Sequence, residues 1–174
     1  VDYMRAYTKP KQPDSPAQVL HKQNFKRLIT IANVLHKIWF PLVFEDKPNK
    51  TLSNQFMTLN KDIYKTDGRS YIAQMPYNNS RSPIYAAQTA TSQTGFAIQC
   101  LLRPNQTYEG NIKGILALFS FEAPYMIIPA ISTELNQDIY LECGENWEQK
   151  RKYILLQLVT DAYIYKPLTF SYRA

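Results

Sequence analysis

The side chains able to do chemistry are few and scattered. Two histidines, His21 and His36, lie fifteen positions apart, about 22 Å along one helix at ~1.5 Å per residue, so they do not share an ion within one chain. No C-x-x-C, H-x-x-x-H or H-E-x-x-H spacing occurs. A serine or cysteine nucleophile needs a base in hydrogen-bond reach, and no G-x-S-x-G is present. His21 reads as a packing side chain beside Phe25. Glu142, Glu145 and Glu148 in "LECGENWEQ" are spaced as an acid pair for glycoside cleavage would allow. Lys150, Arg151 and Lys152 follow directly, so the acids read as a solvated, locally neutralised turn. The five glycines are spread too thinly to build a phosphate-cradling loop. These observations assign no catalytic, metal-ligating or cofactor-binding residue, and the chain is read as a non-enzyme without cofactor. Cys100 and Cys143 fall in expected strands and read as small buried hydrophobes, with a single cross-strand bridge as the alternative.

The remaining chemistry is charge. The net charge is +6, and residues 1–44 hold seven Lys/Arg against two acids. Arg5, Lys9, Lys11, Lys22, Lys26, Arg27 and Lys37 make a basic arm and helix face, with Tyr3 and Tyr7 interleaved as stacking on single strands requires. No base-reading motif accompanies them. Any nucleic-acid contact would be to phosphates, non-specific and salt-sensitive. The other reading of Tyr3 and Tyr7 is an arm that docks on a neighbouring subunit.

The elements that must position these residues follow from pattern. Residues 1–14, with Pro10 and Pro13, read as an extended basic arm. "SPAQ" starts a helix: Ser15 caps, Pro16 takes the first position and Gln18 completes a capping box. At 100° per residue, Leu20, Phe25, Leu28, Ile29, Ile31, Ala32, Leu35, Ile38 and Trp39 fall on one arc, wider than a two-helix pair covers. Lys22, Lys26, Arg27 and Lys37 fall on the other. Phe25, Leu28, Ile31, Leu35 and Trp39 are therefore the expected docking residues. The helix is expected to reach Trp39, before Pro41. A second helix is expected from Thr51 to about Lys65, with a stripe of Leu52, Phe56, Leu59 and Ile63, ended by "TDG". Residues 15–68 thus read as a helical hairpin.

Beyond Gly68 the period changes to alternation. "SPIYAAQTA", "GFAIQCLLRP", "KGILALFSF", "PYMIIPAI", "DIYLECG", "KYILLQLVT" and "PLTFSYR" are strand-like runs parted by turn residues. Residues 69–174 read as an autonomous antiparallel β-sandwich, immunoglobulin-like or jelly-roll-like, and the whole chain as α+β. Apolar residues make up 45% of the chain, enough for a core, and no apolar run reaches the ~18 residues that span a bilayer. Tyr108, Tyr125, Tyr163 and Tyr165 fall at or near sandwich ends, where recognition loops sit.

Two segments carry a resemblance. "DYMRAYTKPKQPDSPAQVLHKQNFK" at 2–26 and "LSNQFMTLNKDIY" at 52–64 are similar to an uncharacterised domain family of Bacteroidota genomes, their phages and mobile elements. Members pair a basic proline segment and a "PAQ"-type helix start with a second helix and a β-sandwich. The family's Gly-rich start is missing here and the first residue is not Met, so a processed or truncated chain is expected. The resemblance implies a fold and a phage-like context, and carries no catalytic or ligand residues.

The reading that joins these observations is a structural or assembly protein, a subunit of a phage or phage-like particle, docking by its arm and amphipathic helix onto other copies or other subunits. It would reside in the virion, or in the bacterial cytoplasm before assembly, with no membrane partner. The alternatives are a non-specific nucleic-acid-binding protein and a surface- or carbohydrate-recognition module.

Overall fold

The computed structural model describes residues 15–62, 73–90, 97–104, 111–119, 139–142 and 153–171. The expected arm (1–14), the boundary at Gly68 and the expected strand in "PYMIIPAI" lie outside them. The described chain is α+β, with one long and two short helices towards the N-terminal end and two small antiparallel sheets.

Helix α1 (Pro16–Leu35) starts on the capping box that its sequence indicates. The Gln18 amide donates to Ser15 Oγ at 3.3 Å, and the Ser15 amide donates to Gln18 Oε1 at 2.8 Å. Its end differs from expectation: α1 stops at Leu35, residues 36–39 form a turn, and α2 (Phe40–Val43) restarts the helix. The cause is Pro41, which has no N–H to give and whose ring crowds the carbonyl four residues back. Breaking the helix earlier places Pro41 in the first turn of α2, where the missing N–H costs nothing.

Helix α3 (Leu52–Leu59) is capped by Thr51, whose Oγ1 accepts from the Asn54 amide at 3.2 Å. It ends six residues before the expected Lys65 because Asn60 turns the chain. The fully buried Asn60 donates from Nδ2 to Phe56 O at 2.9 Å and to Gln74 O at 3.0 Å, and accepts from the Gln74 amide at 2.6 Å. One side chain thereby closes α3 and ties residue 74 to it.

The strands are β1 (Ile84–Ala90), β2 (Ala97–Leu102), β3 (Ile112–Phe119), β4 (Ile139–Glu142), β5 (Tyr153–Thr160) and β6 (Leu168–Ser171). They form one sheet in the order β1-β2-β4 and another in the order β3-β5-β6, all pairs antiparallel. Among the described strands, the chain changes sheet after β2, β3 and β4, and β1–β2 and β5–β6 are the consecutive pairs within one sheet.

Two apolar clusters hold these elements. The first lies between the sheets: Ile84, Ile98, Cys100, Ile139 and Leu141 from one meet Ile115, Ala117, Ile154, Leu156 and Leu158 from the other. Cys100 is a core residue there, and Cys143 lies outside the described residues. The second cluster lies on the other face of β3 and β5. Leu28, Ile31, Leu35, Trp39, Phe40 and Phe56 pack there on Leu116, Leu118, Leu155 and Val159. Phe40 anchors it, with ring centroids 4.9 Å from Phe56 and 5.2 Å from Phe44. Each such large side chain contributes roughly 1.5–3 kcal/mol on burial. The helices and the β region therefore share one core, although the sequence period changes between them.

Trp39 joins the layers most closely. A Cβ on Gly114 would lie 2.9 Å from Trp39 Cζ3, so the indole rests where β3 has no side chain. Trp39 Nε1 donates to Gln157 Oε1 at 2.9 Å. Gln157, fully buried on β5, donates in turn to Pro76 O at 3.0 Å and Tyr165 O at 3.2 Å. This amide satisfies one donor and two carbonyls from three separate segments, as a buried polar group must.

Candidate docking surface

Of the five expected docking residues, the chain encloses four. Leu28, Ile31, Leu35 and Trp39 are 4% exposed or less, packed on the molecule's own sheet. Another chain does not reach them in this arrangement. Phe25 is the exception, at 43% exposure. The reason is geometric. Helical rotation separates Phe25 from Leu28 by about 60°, and the sheet covers only the Leu28 side of the arc. Leu20, Ile29 and Ile38, on the same expected arc, are also exposed.

Two surfaces result. The first is the N-terminal end of α1, where every residue from Ser15 to Gln23 is exposed, Val19 and Leu20 among them. The second is a groove of about 850 Å³ between α1 and α3. Its apolar lining is Phe25, Ile29 and Ala32 from α1 and Met57 from α3; Asn33, Asn54 and Lys61 are among its polar edges. Met57 and the segment around Lys50 were not singled out by sequence pattern. Met57 sits one position beyond the predicted stripe residue Phe56, and only the approach of α1 makes its side part of a groove.

Four of the seven expected nucleic-acid residues are described, and these four do not share one face. Arg5, Lys9 and Lys11 lie outside the described residues. Lys22 and Lys26 are exposed on the groove side of α1, and Arg27 is half-buried about 100° away from Lys26. Lys37 is exposed in the turn after α1. Helix α1 contains no acidic residue, so the only charges on its exposed side are basic.

Of the tyrosines expected at sandwich ends, Tyr108 and Tyr125 lie outside the described residues. Tyr163 is exposed, its ring 5.7 Å from that of Tyr165, which is buried and belongs to the core. A second cavity of about 640 Å³ lies beside β6, lined by Leu59, Met75, Tyr77 and Lys166 among others. Lys166 Nζ sits 5.8 Å from the Tyr77 ring centroid, which accounts for its position without a ligand.

His21 and His36 are both exposed, with His36 Nδ1 2.8 Å from Asn33 O. Among the described residues no three His, Cys, Asp or Glu side chains come together, and no helix is long and apolar enough to cross a membrane. No protein-family model matches the chain, and no curated protein and no solved structure matches it either.

Proposed function

We propose that this chain is a non-enzymatic assembly subunit, part of a phage or phage-like particle, that docks on other copies or other subunits through its helical side. The observation that carries this reading is the overhang of α1. Its first turns are regular and capped, and every residue from Ser15 to Gln23 is exposed, Val19 at 41% and Leu20 at 37%. A helix end of this kind is marginal alone and gains stability when a neighbour buries it. Strand order supports the finer reading of the β region. The orders β1-β2-β4 and β3-β5-β6 correspond to A-B-E and C-F-G of an immunoglobulin-type sandwich, which favours that class over a jelly roll. Light scattering and electron microscopy of the full chain test the reading. Ordered oligomers that grow with concentration are expected; a monomer at every concentration, alone and with its co-expressed neighbours, counts against it.

A second reading is favoured by the absence of acids on α1: non-specific binding of nucleic acid along the basic side. Titration with duplex and single-stranded DNA at two salt concentrations separates the two. Phosphate contact gives a steep loss of affinity with salt, whereas apolar docking does not.

A further inference from the structure

We infer that the groove between α1 and α3 receives an acidic amphipathic helix from a neighbouring subunit. The inference rests on the assembly reading and adds the chemistry of the partner. Three observations carry it. The floor is apolar: Phe25, Ile29, Ala32 and Met57. The walls are mostly α1 and α3, whose backbone groups are paired within the helices beyond their first and last turns, with Asn49 and Lys50 at one end. An extended strand laid between them would leave its own amides without partners; a helix brings its amides satisfied and offers side chains alone. The α1 wall from Phe25 to Asn33 rises about 12 Å at ~1.5 Å per residue, which matches anchors at i, i+4 and i+7 on the incoming helix.

The rim decides the charge of the occupant. Lys50 and Lys61 line the groove on the α3 side, and among the described residues no carboxylate lines it. Lys26 is exposed on the α1 side, two turns before the lining residue Asn33 on the same line of the helix. Glu45, Asp46 and Asp62 are neighbours in sequence and stand outside the lining. A second α1, basic and free of acids, would set like charges face to face. A helix with Leu-type anchors flanked by Asp or Glu meets both the floor and the rim.

Two fluorescein-labelled 15-residue peptides test this on the full chain. Both carry Leu at i, i+4, i+7 and i+11; one has Glu at the flanking positions and the other Lys. The Glu peptide is expected to bind at least about ten-fold tighter by anisotropy. Lys50→Glu with Lys61→Glu should lower its affinity about ten-fold and raise that of the Lys peptide, at an unchanged thermal melt. Met57→Gln should weaken both peptides. Equal affinities, or no binding of either, overturn the inference. So does a 20-bp duplex whose binding falls with the same charge reversals while the Glu peptide is unaffected, because the rim then serves nucleic acid. If the chain assembles normally yet binds neither peptide, the groove proposal fails and the assembly reading stands.

Discussion

The two sheets share one core and differ in what covers their outer faces. Sheet β3-β5-β6 has α1–α3 on its outer side, and residues 154–160 of its central strand are buried without interruption. On the outer side of sheet β1-β2-β4, Gln88 and Tyr140 are exposed, and among the described residues no helix packs there. Gln99 of β2 lies between Gln88 and Tyr140 in the strand register, its Oε1 accepting from Gln88 Nε2 at 2.6 Å, and Tyr140 is exposed. "ILLQLV" and "AIQCLL" are each apolar runs broken by one glutamine, and the difference lies in how that glutamine is surrounded: Gln157 is fully buried and Gln99 only half-buried. A polar residue under the helical cover is out of reach of water and must be fully partnered within the chain. Gln157 meets that demand with three hydrogen bonds.

The largest expected effect comes from removing the cover altogether. A chain lacking residues 15–62 would expose Leu116, Leu118, Leu155 and Val159. It should show no cooperative transition by calorimetry, whereas the full chain should. A cooperative melt of the truncated chain would show that the β region stands alone, as its change of period suggests.

Next is Leu35→Asp, which places a charge at a fully buried position. A loss above about 4 kcal/mol is expected in denaturant unfolding. Phe25→Asp, on the same helix, should cost under about 1 kcal/mol. Equal losses would contradict the division of α1 into a buried and an open side.

Gln157→Leu follows. It strands the Trp39 N–H and the carbonyls of Pro76 and Tyr165, with about 1–3 kcal/mol expected for each buried group that finds no water. Gly114→Val should cost about 1–3 kcal/mol by displacing the indole, with a shift in Trp39 fluorescence. Smallest of all is Gln88→Thr at an exposed position of β1, expected within about 0.5 kcal/mol.

These contrasts also show what could be read in the sequence. The Ser15–Gln18 box, the helix it starts and the six described strands are local, and their signals lie within a few residues. The break after Leu35 was partly legible, because Pro41 announces a stop without saying how far back the chain will turn. The split between Phe25 and Leu28 was not legible. Both are apolar on one arc, and only the width of the sheet beneath them decides which is covered. Gln157 gave no signal beyond an interruption of an apolar run, since its partners lie at 39, 76 and 165. The groove is likewise tertiary: Met57 and Lys50 acquire their place from the packing of α3 beside α1.

The central claim is that the buried side of α1 holds the fold while its exposed N-terminal end holds neighbours. Sedimentation velocity of the full chain against the Val19→Asp, Leu20→Asp variant tests it most directly. The account predicts oligomers in the wild type, monomers in the variant, and the same thermal melt in both. Identical sedimentation of the two at every concentration would contradict it.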